Sequence, residues 1–326
     1  MQIFWFGGDE AIQPEVLVRH AKLAEAAGFD GMLVSEHFHP WVDDVGAAGF
    51  AFSTLGAMAV ATTKLRFMTA VTTPLWRFHP AVVAQAAATI DRLSDGRFAL
   101  GVGTGENINE AALGVELPPY SERSGRMREA LTIMSGLLAG ETVSFDGQYY
   151  HTDAAKLYSP PVGKVPIYVA AGGPKGAMLA GSASDGIIVS VKDVSEAVRQ
   201  VIQPAIMGAK EAGRPNPFVV ATHWSVYAQD DAEAMKALAP WRGLRAPSRA
   251  KLHDPAKLRA EADDLPKEDI LSRYAMVRGP EDYIREYGQI ATKLKPDVLG
   301  IQTTSTNLET TIEMLGTSVL PELRKL

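Results

Sequence analysis

Cysteine is absent from this chain of 326 residues. Its absence excludes disulfides, thiolate metal sites and a thiol nucleophile, and it agrees with a reducing compartment, so we expect a cytoplasmic protein. The sequence also has no uninterrupted apolar run of about 18 residues, and it therefore predicts no membrane span. The N-terminal ten residues lack a basic region followed by a long apolar run, so we expect no signal peptide.

No stretch of the chain concentrates charge of one sign. The formal net charge is −6, and acidic and basic residues alternate throughout, which argues against nucleic acid or an anionic membrane as the main partner. Apolar residues make up 46% of the sequence, enough for a large core. The length exceeds that of a usual single domain, but α/β barrels reach it as one domain.

Short apolar runs alternate with helical patterns along most of the chain. The first helical pattern covers residues 14–27 and ends at Gly28, a common helix stop. Its expected apolar stripe consists of Val16, Val18, Leu23 and Ala27. Such pairs recur to give about eight strands, mostly followed by helices, and this βα rhythm predicts a parallel sheet with right-handed crossovers.

The predicted fold class is α/β, a (β/α)8 TIM barrel with inserted segments, forming one domain over residues 1–326. An open, doubly wound sheet is the alternative. The rhythm is interrupted near residues 140–165, where Asp146 and Gly147 indicate the turn of a hairpin, and near residues 230–272, a helical and charge-rich stretch.

Polar or glycine-rich sequence follows six consecutive predicted strands. In a barrel of this kind the active site lies at the carboxyl ends of the strands, so these segments define a candidate catalytic rim. In chain order the strands run into Gly7–Glu10, Glu36–Trp41, Ala70–Thr73, Gly103–Glu106, Ala171–Gly173 and Ser190–Lys192.

The motifs on this rim resemble those of a known family. "SEHFHPW", "TAVTTP", "GVGTGENINE" and "YVAAGGP" are similar to the bacterial luciferase-like superfamily, and more narrowly to its deazaflavin branch, typified by the coenzyme F420-dependent glucose-6-phosphate dehydrogenases. The resemblance spans essentially the whole chain. It implies coenzyme F420 as cofactor, with FMN as the alternative, a small-molecule substrate and a homodimer.

Candidate catalytic residues cluster after the first and second strands. Histidine exchanges protons near neutral pH, and tryptophan offers a flat apolar wall with one N–H donor. By the resemblance, His37 and Trp41 line the face where substrate meets the deazaflavin ring, and Glu10 faces the substrate. Glu36 stands where the branch usually has aspartate and is expected to accept hydrogen bonds from the cofactor. Whether His37 or Glu10 takes the substrate's hydroxyl proton stays open at this stage.

Cofactor contacts are expected from the other strand ends. Gly172 and Gly173 precede Pro174 at a helix start, where free N–H groups favour an anion. The resemblance assigns the phosphate tail to this turn and places Glu106 where it can give a proton to the reduced ring. The full expected cofactor set is Glu36, Ala70, Val71, Thr104, Gly105, Glu106, Ala171, Gly172, Gly173 and Ser190, with a cis peptide between Ala70 and Val71.

The substrate is expected to be a sugar 6-phosphate. The resemblance assigns its phosphate to Lys192, to Arg273 and to either Arg249 or Lys251, where the alignment is loose. A secondary alcohol is the alternative substrate. An FMN-dependent monooxygenase and a non-catalytic binding protein are the alternative functions.

Overall fold

A computed structural model describes residues 1–326. Eight of its strands form a closed parallel barrel in the order β1-β2-β3-β4-β7-β8-β9-β11, and β11 pairs back onto β1. This closure rules out the open sheet and confirms the predicted TIM barrel. The strands are β1 (Gln2–Gly7), β2 (Gly31–Val34), β3 (Arg66–Thr69), β4 (Phe98–Val102), β5 (Val143–Asp146), β6 (His151–Ala155), β7 (Ile167–Ala170), β8 (Gly186–Ser190), β9 (Phe218–Tyr227), β10 (Ala275–Val277) and β11 (Val298–Thr304).

Helices surround the barrel and connect its strands. None of them is both long and apolar enough to cross a lipid bilayer. Their bounds are α1 (Pro14–Ala27), α2 (Ala51–Ala61), α3 (Pro80–Leu93), α4 (Asn107–Glu110), α5 (Tyr120–Leu138), α6 (Pro174–Ala183), α7 (Val194–Ala197), α8 (Gln203–Glu211), α9 (Asp231–Ala237), α10 (Pro255–Asp263), α11 (Lys267–Leu271), α12 (Pro280–Leu294), α13 (Leu308–Met314) and α14 (Leu320–Leu323).

Helix α1 buries a different stripe from the one its sequence predicts. The residues fully packed against the barrel are Leu17, His20, Ala21 and Ala24, whereas the predicted stripe is only half-buried. The buried set has the expected helical spacing, but His20 disguises it as a polar position. Burial lowers the pKa of His20 to about 4, so the buried imidazole is neutral at physiological pH.

The barrel strands alternate their side chains between two apolar layers, as period-two strands must. On β1, Phe4 and Phe6 point into the barrel, while Ile3 and Trp5 join the outer layer beneath the helices. The interior is therefore a packed core, and the active site can lie only at one of its open ends.

The two interruptions of the βα rhythm differ in kind. Strands β5 and β6 form the expected antiparallel hairpin, which packs on α5. The second stretch contains α9, a 3-10 helix at Ala239–Arg245, α10 and α11, and it returns through β10, which pairs with the end of β9. That second stretch lies at the carboxyl ends of the strands, where it contributes to the candidate site.

Candidate active site

A cavity of about 440 Å³ opens at the carboxyl ends of the barrel strands. Residues from all eight barrel strands or the loops that follow them contribute to its wall, which is the arrangement expected for a barrel enzyme. The sequence-predicted residues that line it are Glu10, Glu36, His37, Trp41, Ala70, Val71, Thr104, Gly105, Glu106, Ala171, Gly172 and Ser190.

His37 has one ring nitrogen committed and one available. Its Nδ1 lies 3.0 Å from the carbonyl oxygen of His39, and because a carbonyl can only accept, Nδ1 must carry the proton. In the neutral ring, Nε2 then carries a lone pair that is available at the cavity. Nε2 lies 3.9 Å from Oε1 of Glu10, and the ring packs against Trp41 with centroids 5.5 Å apart. The imidazole is therefore oriented as a base with a carboxylate beside it.

Glu10 belongs to a buried hydrogen-bond network formed by residues that follow β1 and β2. The Ser35 hydroxyl donates to Glu10 Oε2 and accepts from the backbone N–H of Asp9 at 2.8 Å. The Asp9 carboxyl is completely buried, and neither of its oxygens has a hydrogen-bond partner. Burial, reinforced by the charge of Glu10, raises the pKa of Asp9 to about 8.

Glu36 belongs to a second charged group at the same rim. Arg77 grips its carboxylate with two hydrogen bonds of 2.8 and 2.9 Å, and Thr72 donates a third at 2.9 Å. The Nε of Arg77 lies 3.4 Å from the fully buried Glu110. Burial raises the pKa of Glu110 to about 7, although Arg77 opposes the shift. Glu36 thus lines the cavity with most of its acceptor capacity already used.

Hydrogen bonds made by the side chains of Asn109 and His39 join the loop that carries His37 to neighbouring segments. Asn109 Oδ1 accepts from the backbone N–H of Phe38 at 2.8 Å and of His39 at 3.3 Å. The ring of His39 hydrogen-bonds the carbonyl of His253, and Asn107 donates to the carbonyl of Ala250. The His37 loop, the loop after β4 and the second inserted stretch are therefore joined by hydrogen bonds.

The side of the cavity predicted to receive the ring contains the Ala70–Val71 peptide and the glycines of the turn after β4. The Ala70–Val71 peptide is cis, as the resemblance implies. A Cβ added at Gly103 would lie 2.7 Å from Cγ2 of Val71, so only glycine fits between this peptide and the cavity. Glu106 is exposed at the cavity mouth as the N-cap of α4, with no hydrogen bond to the helix.

A second cavity of about 600 Å³ adjoins the first and shares Thr104, Ala171 and Gly172 with it. Gly173, which the sequence analysis also assigned to the cofactor, lies on this second wall. Cβ atoms added at Gly172 and Gly173 would meet no atom within 4 Å, so the turn before α6 presents open backbone. Arg123 reaches Thr104 Oγ1 at 3.4 Å from the other side. The pair of cavities suits a flat ring with an anionic tail.

The four cations assigned to substrate phosphate lie apart from this cavity. Lys192, Arg249, Lys251 and Arg273 are all exposed, and none lines its wall. Sequence reasoning missed Arg245, whose guanidinium stacks 4.6 Å above the Tyr274 ring and donates to its hydroxyl at 2.9 Å. Tyr274 in turn packs edge-on against Trp224, which does line the cavity.

Sequence reasoning also missed Arg77, Glu110 and the role of Asp9. Arg77 lies in a loop with no pattern of its own, and Glu110 reads as an ordinary helix-surface acid. The spacing of four residues from Glu106 does not reveal it either, because Glu106 is the extended, exposed N-cap of α4, whereas Glu110 is fully buried.

The fold and site define a class of protein. The model of the family described as luciferase-like monooxygenase matches residues 3–291, and the chain belongs to this family. Within it, the chain is 39% identical over 284 residues to the F420-dependent glucose-6-phosphate dehydrogenase of Nocardia farcinica, covering 85% of this chain and 84% of that protein. It is 34% identical to the enzyme of the same name from Intrasporangium calvum, with full coverage of both chains.

Among solved structures, an F420-dependent secondary alcohol dehydrogenase in complex with an F420-acetone adduct superposes with a TM-score of 0.91. It is 31% identical and covers 99% of both chains. The tetrahydromethanopterin reductase of Methanopyrus kandleri, 21% identical with a TM-score of 0.77, shares the fold.

Proposed function

We propose that the protein is a coenzyme F420-dependent dehydrogenase that transfers a hydride from a CH–OH group of a sugar 6-phosphate, glucose 6-phosphate or a similar compound, to the deazaflavin. The observation that carries the proposal is the convergence of His37 Nε2, Glu10 and Trp41 on one cavity that the cis Ala70–Val71 peptide and the glycine-rich turn Gly103–Gly105 also line. The names of the sequence relatives support the same cofactor and substrate.

The residues that would hold the cofactor fit its two chemical parts. Val71 and Gly103 lie against each other on the wall of the first cavity, where the flat ring would lie, and Thr104 and Gly105 line the same cavity. The anionic tail would lie in the second cavity, at the open turn Gly172–Gly173. When bound, the deazaflavin supplies the hydride acceptor for the reaction.

His37 is the better candidate for the base that takes the hydroxyl proton. Its Nδ1 is fixed by the carbonyl of His39, which leaves Nε2 as a lone pair directed at the cavity. Glu10 Oε1, 3.9 Å away, stabilises the imidazolium that forms, and Ser35 holds Glu10 in place. Glu106, free of any cap bond and exposed at the mouth, is the carboxyl group that would supply a proton at the edge of the bound ring.

Side-by-side titrations test the cofactor assignment. Coenzyme F420 should quench protein fluorescence with a lower Kd than FMN, because the site was identified by the motifs of the deazaflavin branch. Equal or tighter binding of FMN would contradict the assignment and favour a monooxygenase. Binding of coenzyme F420 without turnover of any alcohol in the panel below would favour the non-catalytic alternative.

The phosphate assignment rests on cations near the cavity rather than in it. Lys192, Arg273 and either Arg249 or Lys251 are proposed to bind the substrate phosphate. Burial raises the pKa of the Tyr274 hydroxyl, and Arg245 and Arg249 oppose the shift, so both guanidinium groups lie near it. These cations offer a dianion the local positive charge that the net-negative chain otherwise lacks.

A secondary alcohol is the second candidate substrate. Leu244 and Trp224 give the cavity an apolar wall, and the solved structure with the F420-acetone adduct is similar over nearly its whole length. Reduction of coenzyme F420 by glucose 6-phosphate, free glucose and isopropanol should be compared. Reduction by isopropanol alone would favour the second candidate. Oxidation of glucose 6-phosphate at an unchanged rate in Lys192→Ala and Arg273→Ala would show that other residues bind the phosphate.

A homodimer of one-domain subunits in the cytoplasm completes the proposal. Helix α2 contains no charged residue, and it exposes Val60 by 67% to solvent. Val82 and Leu93 of the neighbouring α3 are also exposed. An uncharged helix with an exposed apolar face is typical of a subunit interface.

A further inference from the structure

Five charged residues join the catalytic loop to the second inserted stretch, and we call them the latch: Asp43, Asp44, Arg242, Arg259 and Asp263. Arg242 donates from Nη2 to Asp44 at 2.6 Å and from Nε to Asp263 at 2.7 Å. Arg259 donates from Nε to Asp43 at 2.6 Å and from Nη1 to Asp263 at 3.4 Å. Charges alternate along this chain of five, so each arginine is shared by two carboxylates.

The latch joins two segments that each contribute a residue to the wall of the cavity, at the end where the substrate is proposed to bind. Asp43 and Asp44 follow Trp41 by two and three residues, and Arg242 precedes Leu244 by two; both Trp41 and Leu244 line the cavity. A Cβ added at Gly243 would lie 1.9 Å from the carbonyl oxygen of Trp41. The two backbones are therefore in direct contact at the point where the latch joins them.

The same contact fixes the neighbouring aromatic wall. A Cβ added at Gly8 would lie 2.1 Å from the Trp241 ring, and Trp241 packs edge-on against Trp224 at 4.9 Å. The 3-10 helix that carries Trp241 and Leu244 is thus wedged between the ends of β1 and β9. Arg242 is the residue of that helix that ties it to the Trp41 loop.

An isolated surface ion pair contributes little, but this network is more than an isolated pair. The Arg242 side chain is only 15% exposed, and its Nη1 also donates to the carbonyl of Ala239 at 2.6 Å. Burial disfavours the charged form of Asp44, yet the hydrogen bond and charge of Arg242 outweigh it and hold the pKa of Asp44 below its usual value. The hydrogen bond from Arg259 likewise lowers the pKa of Asp43.

We propose that Arg242 is a positioning residue: through the latch it holds the 3-10 helix Ala239–Arg245 against the Trp41 loop and so sets the width of the substrate end of the cavity. For its kinetic meaning the inference rests on the proposed dehydrogenase function. The latch touches neither the predicted ring wall nor the turn Gly172–Gly173, so it acts on substrate affinity and not on cofactor affinity.

The test is Arg242→Ala in the full-length protein. KM for the substrate should rise about tenfold while kcat and the Kd for coenzyme F420 change less than about twofold, as expected for lost ground-state positioning. Arg242→Lys keeps the charge but cannot bind two carboxylates and a carbonyl at once. Its KM should lie between those of the wild type and of Arg242→Ala. Asp44→Asn should raise KM less, and adding it to Arg242→Ala should raise KM no further, because both changes break one network.

Amide hydrogen exchange gives a reading that needs no substrate. Exchange in residues 41–46 and 239–245 should quicken together in Arg242→Ala, because the two segments lose their shared restraint. Unchanged exchange would overturn the latch whether or not a substrate is known, whereas failure of turnover in the wild type would count only against the proposed function.

Arg285 provides the matched control, because it also pairs with two carboxylates, those of Asp282 and Glu286, on the remote helix α12. Arg285→Ala should leave KM and the exchange of both segments unchanged. The same changes in this control, or a loss of kcat with unchanged KM in Arg242→Ala, would overturn the proposal.

Discussion

The two ends of the barrel use the same residue types in opposite ways. At the amino ends of the strands, acids that precede a strand accept backbone N–H groups: Asp30 accepts from Ile3, Asp185 from Ile167 and Asp297 from Val219, each at 2.8 to 2.9 Å. Every one of these carboxylates has a donor that the fold supplies. This end is built for stability.

At the carboxyl ends two acids are more deeply buried and lack such donors. Asp9 and Glu110 are both fully buried, and their carboxyl oxygens lack hydrogen bonds within the chain. Burial raises the pKa of both carboxyls. Glu10 and Glu36 beside them do accept hydrogen bonds, so the unsatisfied carboxyls are confined to two positions at the rim of the candidate site.

The largest effect should follow from the proposed catalytic residues at the carboxyl ends. His37→Ala removes the proposed base, and Glu106→Gln keeps the shape but not the proton. Each should lower kcat on the order of 10²–10⁴-fold, the usual contribution of general acid–base catalysis, while the Kd for coenzyme F420 changes much less. The measurement is the rate of deazaflavin reduction under saturating substrate. Near-normal turnover in both variants would show that the site is wrongly assigned.

The amino ends should respond in stability instead of activity. Arg97 donates to carbonyls of Ala59, Thr62, Leu65 and Ser94, so Arg97→Ala leaves several of them unpaired. Urea unfolding should show a loss of about 2–4 kcal/mol, with kcat per folded molecule unchanged.

Arg92, in the last turn of α3 and exposed, is the control for this variant, because it makes a single hydrogen bond, to the carbonyl of Pro160. Arg92→Ala should change the unfolding free energy by less than about 0.5 kcal/mol. Equal losses in the two variants would mean that the carbonyls around Arg97 find other partners.

This division explains how much the sequence could predict. The fold follows from the βα rhythm, and His37, Trp41 and Glu106 could be placed because each lies directly after a strand, where the barrel geometry alone brings it to the rim. Local sequence patterns were therefore enough to predict both the fold and the position of these three residues.

The rest depends on contacts between distant segments. Glu36, Arg77 and Glu110 meet from three separate segments of the chain, and the latch joins residues about 200 apart in sequence, so no periodicity marks them. His20 on α1 shows the same limit inside a helix, since a buried neutral histidine breaks the apolar pattern that would otherwise reveal the stripe.

A smaller effect, with the opposite sign, is expected from Asp9. Its pKa rises from 3.8 to about 8 on folding, so between these values the folded state keeps a proton that the unfolded state has lost, and stability falls as pH rises. Asp9→Asn removes this loss of stability with rising pH. Its Tm should exceed that of the wild type by a few degrees at pH 8, and the gap should close toward pH 4. A gap that widened on acidification would contradict the assignment.

The smallest effect, and the sharpest test of the comparison, is expected from Glu25 at the opposite end. Its Oε1 accepts from the backbone N–H groups of Thr63, Lys64 and Leu65 at 2.6 to 2.9 Å. Burial disfavours the charge, but these three donors outweigh it and lower the pKa of Glu25 below its ordinary 4.5. Its stabilisation is therefore present above pH 4.5 and is lost as pH falls through the folded-state pKa. Glu25→Gln, which keeps the acceptor oxygen without its charge, should lose about 1 kcal/mol or less at pH 7 in urea unfolding, and this loss should shrink on acidification. Asp9→Asn gains and Glu25→Gln loses stability at neutral pH, and both converge on the wild type in acid. Matching signs for the two variants at pH 7 would remove the distinction between the two ends of the barrel.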